Sequence, residues 1–394
     1  MEQTFSASYA SKFSGYDPFD GLNSRVFELF PSLKNSVFGL AWIQLFKRSS
    51  VNFRPVAGVP KKRNPKGIGL FILGMLEEYR RTNDPALIAI CIDLADWLLS
   101  ERCDRTAWSA SCWGYHFDWK ARAFFVPKGK PNVITTIYVA QALDQLAKTI
   151  LDMDRERAQL YQSAAFESAN FIVEHLYTEL DGRTFFAYIP GEQAFVHNAS
   201  LWAAAWVAVV GEQTNNHHFL TLADKVAKQS VSEQTPDGSW VYGARHHHQF
   251  IDGFHTGYNL EALHLIRKAI KSDDFDEAID KGLQYYRSHF FEPDGTAKYY
   301  NDNPYPLDPH SVAQAIITLG KLGNGLSDNE LMESVVRRAI ESLYLPEKQQ
   351  FVYQKNKQSV NKINYMRWTQ AWMYYSLSFY LNQQESHHAK NHIS

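Results

Sequence analysis

Between Asp237 and Leu263 the chain reads DGSWVYGARHHHQFIDGFHTGYNLEAL. His246, His247 and His248 are consecutive; His255 follows, with Asp252 three residues before it and Tyr258 three residues after. Imidazole titrates near neutrality, so such a cluster can hold a metal, move protons or simply sit in solvent. Chemistry weighs against the metal. In an extended segment His246 and His248 face one way and His247 the other, no Cys is near, and no HExxH pair occurs. No metal site and no cofactor are therefore expected. His255 has a better case for acid–base work. It opens an apolar helix, whose N-terminal dipole disfavours the imidazolium form and so suits a base. Tyr258 is close to the same helical face and is the expected acid partner, leaving His246 to His248 mainly for binding.

Such groups act only if the fold brings others to them. Apolar, small-residue runs recur: NPKGIGLFILGML at Asn64, PNVITTIYVAQAL at Pro131, HNASLWAAAWVAVV at His197, DGFHTGYNLEALHLI at Asp252, DPHSVAQAIITL at Asp308 and NYMRWTQAWMYYSLSFYL at Asn364, roughly 55 to 67 residues apart. Amphipathic, more charged helices lie between them, such as RERAQLYQSAAFESANFIVEHL and DFDEAIDKGLQYYRSHFF. Helices apolar on most faces must be buried all round, and those with one polar face pack outside. A sixth outer helix is expected in SRVFELFPSLKNSVFGLAWIQLF, interrupted at Pro31. The prediction is an all-α fold, an (α/α)6 toroid of six inner and six outer helices, rather than an open helical solenoid. It forms a single domain over residues 1–394, with 1–20 as an N-terminal extension and 384–394 as a flexible tail. Asp-Gly turns followed by short aromatic segments, as in DGRTFFAYIP, DGSWVYG and DGTAKYYNDN, predict hairpin-like pieces on one rim, at the inner-helix N-termini.

That rim gathers polar and aromatic groups from every repeat. The candidate catalytic residues are His255, Tyr258, His197, Asp252 and Asp118. The candidate substrate-binding residues from the second and third repeats are His116, Trp119, Arg122 and Asn198. The fourth repeat adds Arg245 with His246, His247 and His248, the fifth Asp302, Asp308 and His310, and the sixth Tyr365, Arg367 and Trp368. A basic stretch before the first inner helix adds Lys61, Lys62, Arg63 and Lys66. Cations and imidazoles suit an acidic ligand, aromatic rings suit pyranose stacking, and Asp suits hydroxyls or catalysis.

Composition excludes several classes. A net charge of −2 over 394 residues gives no bulk case for nucleic acid or an acidic membrane. Three Cys fit a reducing compartment rather than a disulfide framework. No membrane span and no signal peptide are seen, so a cytoplasmic location is expected. QTPDGSW matches the repeat motif of toroidal triterpene cyclases but occurs once, and no phosphate-binding GxxxxGK[ST] or GxGxxG is present.

The motifs YDPFDGLNSRVF, VPKKRNPKGIGLFI, WGYHFDWKARAFFVPKGKPNVITT, FIDGFHTGYNLEAL and YPLDPHSVAQAIITL resemble a bacterial family called "polysaccharide biosynthesis protein", found in capsule, O-antigen and exopolysaccharide gene clusters. The resemblance spans Tyr16 to about Tyr380. A more distant likeness is to the toroids of uronate C5-epimerases, polysaccharide lyases and N-acylglucosamine 2-epimerases. These resemblances imply a glycan-related role in bacterial surface-polysaccharide synthesis. The implied partners are an acidic oligo- or polysaccharide, lipid-linked forms included, and the synthesis machinery. With the rim residues, the leading expectation is proton abstraction next to a uronate carboxylate, as in lyases and C5-epimerases. The alternatives are an inverting glycoside hydrolase drawing two carboxylates from Asp118, Asp252, Asp302 and Asp308, and a non-catalytic glycan-binding or scaffold protein.

Overall fold

The computed structural model describes residues 1–120 and 125–391, with no account of the side chains beyond Glu385. The chain opens with α1 (Glu2–Ala10), α2 (Arg25–Leu29), α3 (Val37–Arg48) and α4 (Arg54–Ala57). Helices then alternate: α5 (Pro65–Thr82), α6 (Pro85–Ser100), α7 (Val133–Ile150), α8 (Arg155–Leu176), α9 (His197–Thr214), α10 (His217–Ser232), α11 (Gly253–Ile270), α12 (Asp276–His289), α13 (Pro309–Leu322), α14 (Leu326–Leu343) and α15 (Ala371–Asn391). Helices α5, α7, α9, α11, α13 and α15 each pack on the next, and α15 packs back on α5, which closes the ring. The fold is an (α/α)6 toroid.

Each inner helix starts where the sequence supplies a cap. Asn64, Asn132, Asp252 and Asp308 accept from backbone N–H groups of the first turns of α5, α7, α11 and α13. The inner helices are buried on nearly every side. Between His197 and Val210 only Val209 is more than marginally exposed, and each fully buried Leu, Ile, Val or Phe contributes about 1.5–3 kcal/mol. Close approach needs small residues at the crossings: a Cβ on Gly69 would lie 2.8 Å from the Tyr138 carbonyl oxygen of α7. Outer helix α12 shows the opposite pattern, with Glu277, Asp280, Lys281 and Gln284 wet and Ala278, Ile279, Leu283 and Tyr286 buried.

Short antiparallel hairpins decorate the rim: β1 (Trp119–Lys120) with β2 (Phe125–Val126), β3 (Tyr177–Leu180) with β4 (Arg183–Phe186), β5 (Tyr344–Leu345) with β6 (Gln350–Phe351), and β7 (Gln354–Lys355) with β8 (Val360–Asn361). The β3–β4 turn uses Asp181 and Gly182 at φ 52° and 74°, as the Asp-Gly pair predicts. DGSWVYG and DGTAKYYNDN turn without forming strands.

The N-terminal region departs from expectation. The stretch expected as a sixth outer helix breaks into α2, a 3-10 turn at Pro31–Asn35 and α3, because Pro31 cannot continue α2. It lies over the rim instead: α3 packs against β1, Gly15 bridges Lys62, and Tyr16 bridges Tyr365. Helix α1 covers α15, its Phe5 ring 5.1 Å from Tyr374.

Candidate active site

Asp252 ends an extended segment and caps α11. Its Oδ1 accepts from the His255 backbone N–H at 2.8 Å, and its Oδ2 lies 2.7 Å from His255 Nδ1. A carboxylate beside Nδ1 places the imidazole proton on that nitrogen and leaves Nε2 as a free acceptor. The Asp252 side chain is 1% exposed and that of His255 is 20% exposed, so the carboxylate is hidden behind an accessible ring. Tyr242 and Phe254 hold that ring, at 4.5 and 4.1 Å between centroids.

Behind His255 runs a buried polar chain. Lys66 Nζ donates to Tyr258 Oη at 3.4 Å, and Tyr258 Oη lies 3.2 Å from His310 Nε2. Among the described residues Lys66 has no carboxylate within ion-pair distance; its side-chain nitrogen stands over the rings of Tyr138 and Trp372, at 4.7 and 5.2 Å. Burial, reinforced by the Arg367 charge, holds its pKa well below that of a free lysine. Burial does the same to His310, sandwiched between Phe254 and Trp372 at 4.7 and 4.6 Å. Both shifts favour the uncharged forms of these groups.

The opposite wall comes from the turn Met366–Gln370, a π-helical start to α15, and from the N-terminal segment. Arg367 makes a bidentate pair with Asp17, at 2.5 and 2.8 Å, and its guanidinium lies over the Tyr115 ring. Arg54 pairs with Asp20 at 2.5 Å and donates to Tyr365 Oη at 2.8 Å. Half-buried rings complete the wall: Phe19 meets Trp368 at 5.6 Å and Trp119 at 5.8 Å, and Trp119 meets Tyr188 at 6.1 Å. Lys47 stands 4.8 Å from the Phe19 ring; burial lowers its pKa, and the Asp308 carboxylate opposes that shift.

The fold thus gathers Asp252, His255, Tyr258, His310, Arg367, Trp368, Asp308 and Trp119. Asn198 also faces inward, one turn before Trp202, whose ring meets Tyr258 at 5.8 Å; Asn198 is buried, and its Oδ1 has no hydrogen-bond partner among the described residues. Other expected residues go elsewhere. Tyr258 lies on the same side of α11 as His255, with ring centroids 6.3 Å apart, and its hydroxyl is bonded to His310 and Lys66 rather than to His255. His197 faces outward between α9 and α10, bonding Ser230 at 3.3 Å, and burial lowers its pKa to about 4. His116 hydrogen-bonds Asn64 and lines a separate cavity of about 160 Å³ with Asn23, Lys34, Lys62 and Lys128. Asp118 pairs with Lys34 at 2.6 Å and caps the Lys128 N–H. Arg245 pairs with Glu192 at 2.6 Å. His246 to His248 form one 3-10 turn rather than an extended segment, so their expected alternation does not arise. Asp302 is exposed on a loop, and Tyr365 is buried beneath Arg54. Arg122 lies outside the described residues. Among the described residues no group of three or more His, Cys, Asp or Glu is placed to hold a metal ion.

Sequence reasoning missed Asp17, Phe19, Lys47, Tyr115, Tyr188 and Tyr242. Three of these belong to the N-terminal segment, and its YDPFDG motif, with two acidic and two aromatic residues in a turn-forming context, was the available signal.

No family model and no curated protein matches the sequence. Solved structures do match in shape. A cellobiose 2-epimerase from Bacillus thermoamylovorans superposes with a TM-score of 0.63 at 8% identity, over 82% of this chain and 88% of the other. An unsaturated glucuronyl hydrolase from Bacillus sp. GL1 gives 0.57 at 11% identity, over 86% and 90%. A D-mannose isomerase gives 0.56 at 10%, over 82% and 88%. What these likenesses share with the chain is the fold.

Proposed function

We propose that the protein is an enzyme that acts on a saccharide by abstracting a proton from a carbon next to a carboxylate, with His255 as the base. The observation that carries this reading is the Asp252–His255 pair: a buried carboxylate fixes Nδ1–H and leaves Nε2 free on an accessible ring. Trp368, Trp119 and Phe19 supply apolar faces for a pyranose. Lys47, beside the Phe19 ring and without a carboxylate in ion-pair contact among the described residues, is assigned to the substrate carboxylate.

Hydrolysis by two Asp fits the geometry less well. Burial pushes Asp308 up to about 6, a range that suits a general acid. Yet its oxygens already accept from the His310 N–H, Gln354 Nε2 and Trp368 Nε1. Asp17 is bound to Arg367, Asp20 to Arg54 and Asp118 to Lys34. Carboxylates so engaged are less available to a glycosidic bond.

The neighbouring folds named as cellobiose 2-epimerase and D-mannose isomerase lend support to proton transfer, and those named as unsaturated glucuronyl hydrolases to an acidic saccharide. With the sequence resemblance, this makes a uronate-containing glycan of bacterial surface-polysaccharide synthesis the proposed substrate, handled in the cytoplasm. The test is incubation with uronate oligosaccharides in D₂O. Deuterium at C5, or an unsaturated uronate product, supports the proposal. New reducing ends without either signal, dependent on Asp308, replace it with hydrolysis. Binding with no turnover replaces it with a glycan-binding role.

A further inference from the structure

The net charge of −2 hides a strong asymmetry. Residues 25–63 carry eight Lys or Arg and a single acidic residue, Glu28, a local charge of +7. The same region concentrates exposed apolar surface. Of sixteen exposed large hydrophobic side chains in the described structure, nine lie between Leu29 and Val56. The other seven are scattered from Tyr9 to Ile340, as on ordinary soluble surfaces. A cluster of this kind marks an interaction site.

Helix α3 shows how the cluster is built. Val37, Phe38, Ala41, Leu45 and Arg48 are exposed, whereas Gly39, Ile43 and Phe46 are buried. At about 100° per residue the exposed set spans an arc of roughly 100°, and the buried set lies opposite. The buried stripe already has its partners, Leu22 and Phe27. The outer stripe is therefore not the helix's core face; it is a second apolar face, turned to water. Leu29 and Phe30 lead into the 3-10 turn that packs beside this helix, at 75% and 58% exposed. Val51, Phe53 and Val56 follow it, with the Phe53 ring 6.3 Å from Phe46. Arg25, Arg48, Lys61 and Lys62 are exposed among them.

We infer that this face docks onto an anionic lipid bilayer. An apolar stripe on a short helix, flanked by exposed cations that have no ion-pair partner among the described residues, matches the two forces of interfacial binding: insertion of apolar side chains at the headgroup boundary and attraction to acidic lipids. The single acidic residue in the stretch leaves little to oppose that attraction. No helix among the described residues is long and apolar enough to cross a membrane, so the attachment is peripheral. Phe19 and Lys47 belong to the same N-terminal segment and wall the cleft. Docking would set the cleft mouth beside the lipid surface, within reach of a saccharide carried on a lipid. The docking itself stands independently of the reaction proposed above.

The experiment is co-sedimentation of the full chain with phosphatidylcholine vesicles, with and without phosphatidylglycerol, at low and high salt. The expected result is binding to the phosphatidylglycerol vesicles that weakens with salt. It should fall at least about tenfold in the triple variant Val37→Ser, Phe38→Ser, Leu45→Ser, and likewise in Lys61→Glu with Lys62→Glu. All five side chains are exposed, so melting temperatures should hold; if the triple variant misfolds, the charge reversal still decides. No sedimentation with either vesicle, or undiminished binding by both folded variants, overturns the inference. A wild-type dimer that the triple variant splits, with no vesicle binding, assigns the face to a second copy of the chain instead.

Discussion

Asp252→Asn separates the chemical role of this residue from its structural one. Asp252 satisfies two donors at once, the His255 backbone N–H at 2.8 Å and the imidazole Nδ1–H at 2.7 Å. That requires two acceptor oxygens, and an amide has one. If the Asn oxygen stays on the backbone N–H, the cap survives, because Asn caps helices about as well as Asp. The amide nitrogen then faces Nδ1, and the imidazole must carry its proton on Nε2, where it no longer serves as a base. A base histidine forced into the wrong tautomer loses roughly 10³–10⁴-fold in turnover, equivalent to about 4–5.5 kcal/mol of transition-state stabilisation. The change in folding stability should stay within about 1 kcal/mol, since the cap is kept. The assay is deuterium uptake into a uronate oligosaccharide, with urea unfolding on the same samples. A variant that retains near wild-type uptake, or whose loss of rate simply tracks unfolding, refutes the reasoning.

Two other perturbations test the frame around the site. Burial lowers His116 and His197 to a pKa of about 4, so the unfolded chain protonates them before the folded one. Their contribution is fully present above about pH 6.5 and is lost as pH falls toward 4, up to roughly 3 kcal/mol for each. His197→Asn should flatten the fall in urea stability between pH 7 and pH 4.5; an unchanged slope would show that His197 takes no part in it. Arg367→Met leaves the Asp17 carboxylate buried without its partner and should cost about 3–5 kcal/mol in urea unfolding. A loss below about 1 kcal/mol would mean that water reaches Asp17.

The inner ring was legible because its signals are redundant. HNASLWAAAWVAVV is apolar on most faces and buried on nearly every face, and its neighbours repeat the pattern at a near-constant spacing. Starts anticipated at Asn64, Asp252 and Asp308 fall on the observed caps, because Asn and Asp satisfy the first free N–H groups. The side chains at those starts were harder to read. Position on a rim does not say which way a residue turns: His197 and His255 both open inner helices, yet one faces Ser230 and the other the cleft. The N-terminal segment was the least legible. Its contacts with the rim are long-range pairs, such as Asp17 with Arg367 across 350 positions, and no local periodicity announces them. The aromatic walls of the cleft arise from those same pairings.

The central claim is that His255 Nε2 takes a proton from substrate carbon. The direct measurement is mass-resolved deuterium incorporation at C5 of a uronate oligosaccharide in D₂O, comparing the wild-type protein with His255→Ala. The account predicts incorporation, or elimination, by the wild type, and a fall to background in a variant that remains folded. Incorporation by His255→Ala at the wild-type rate would contradict it.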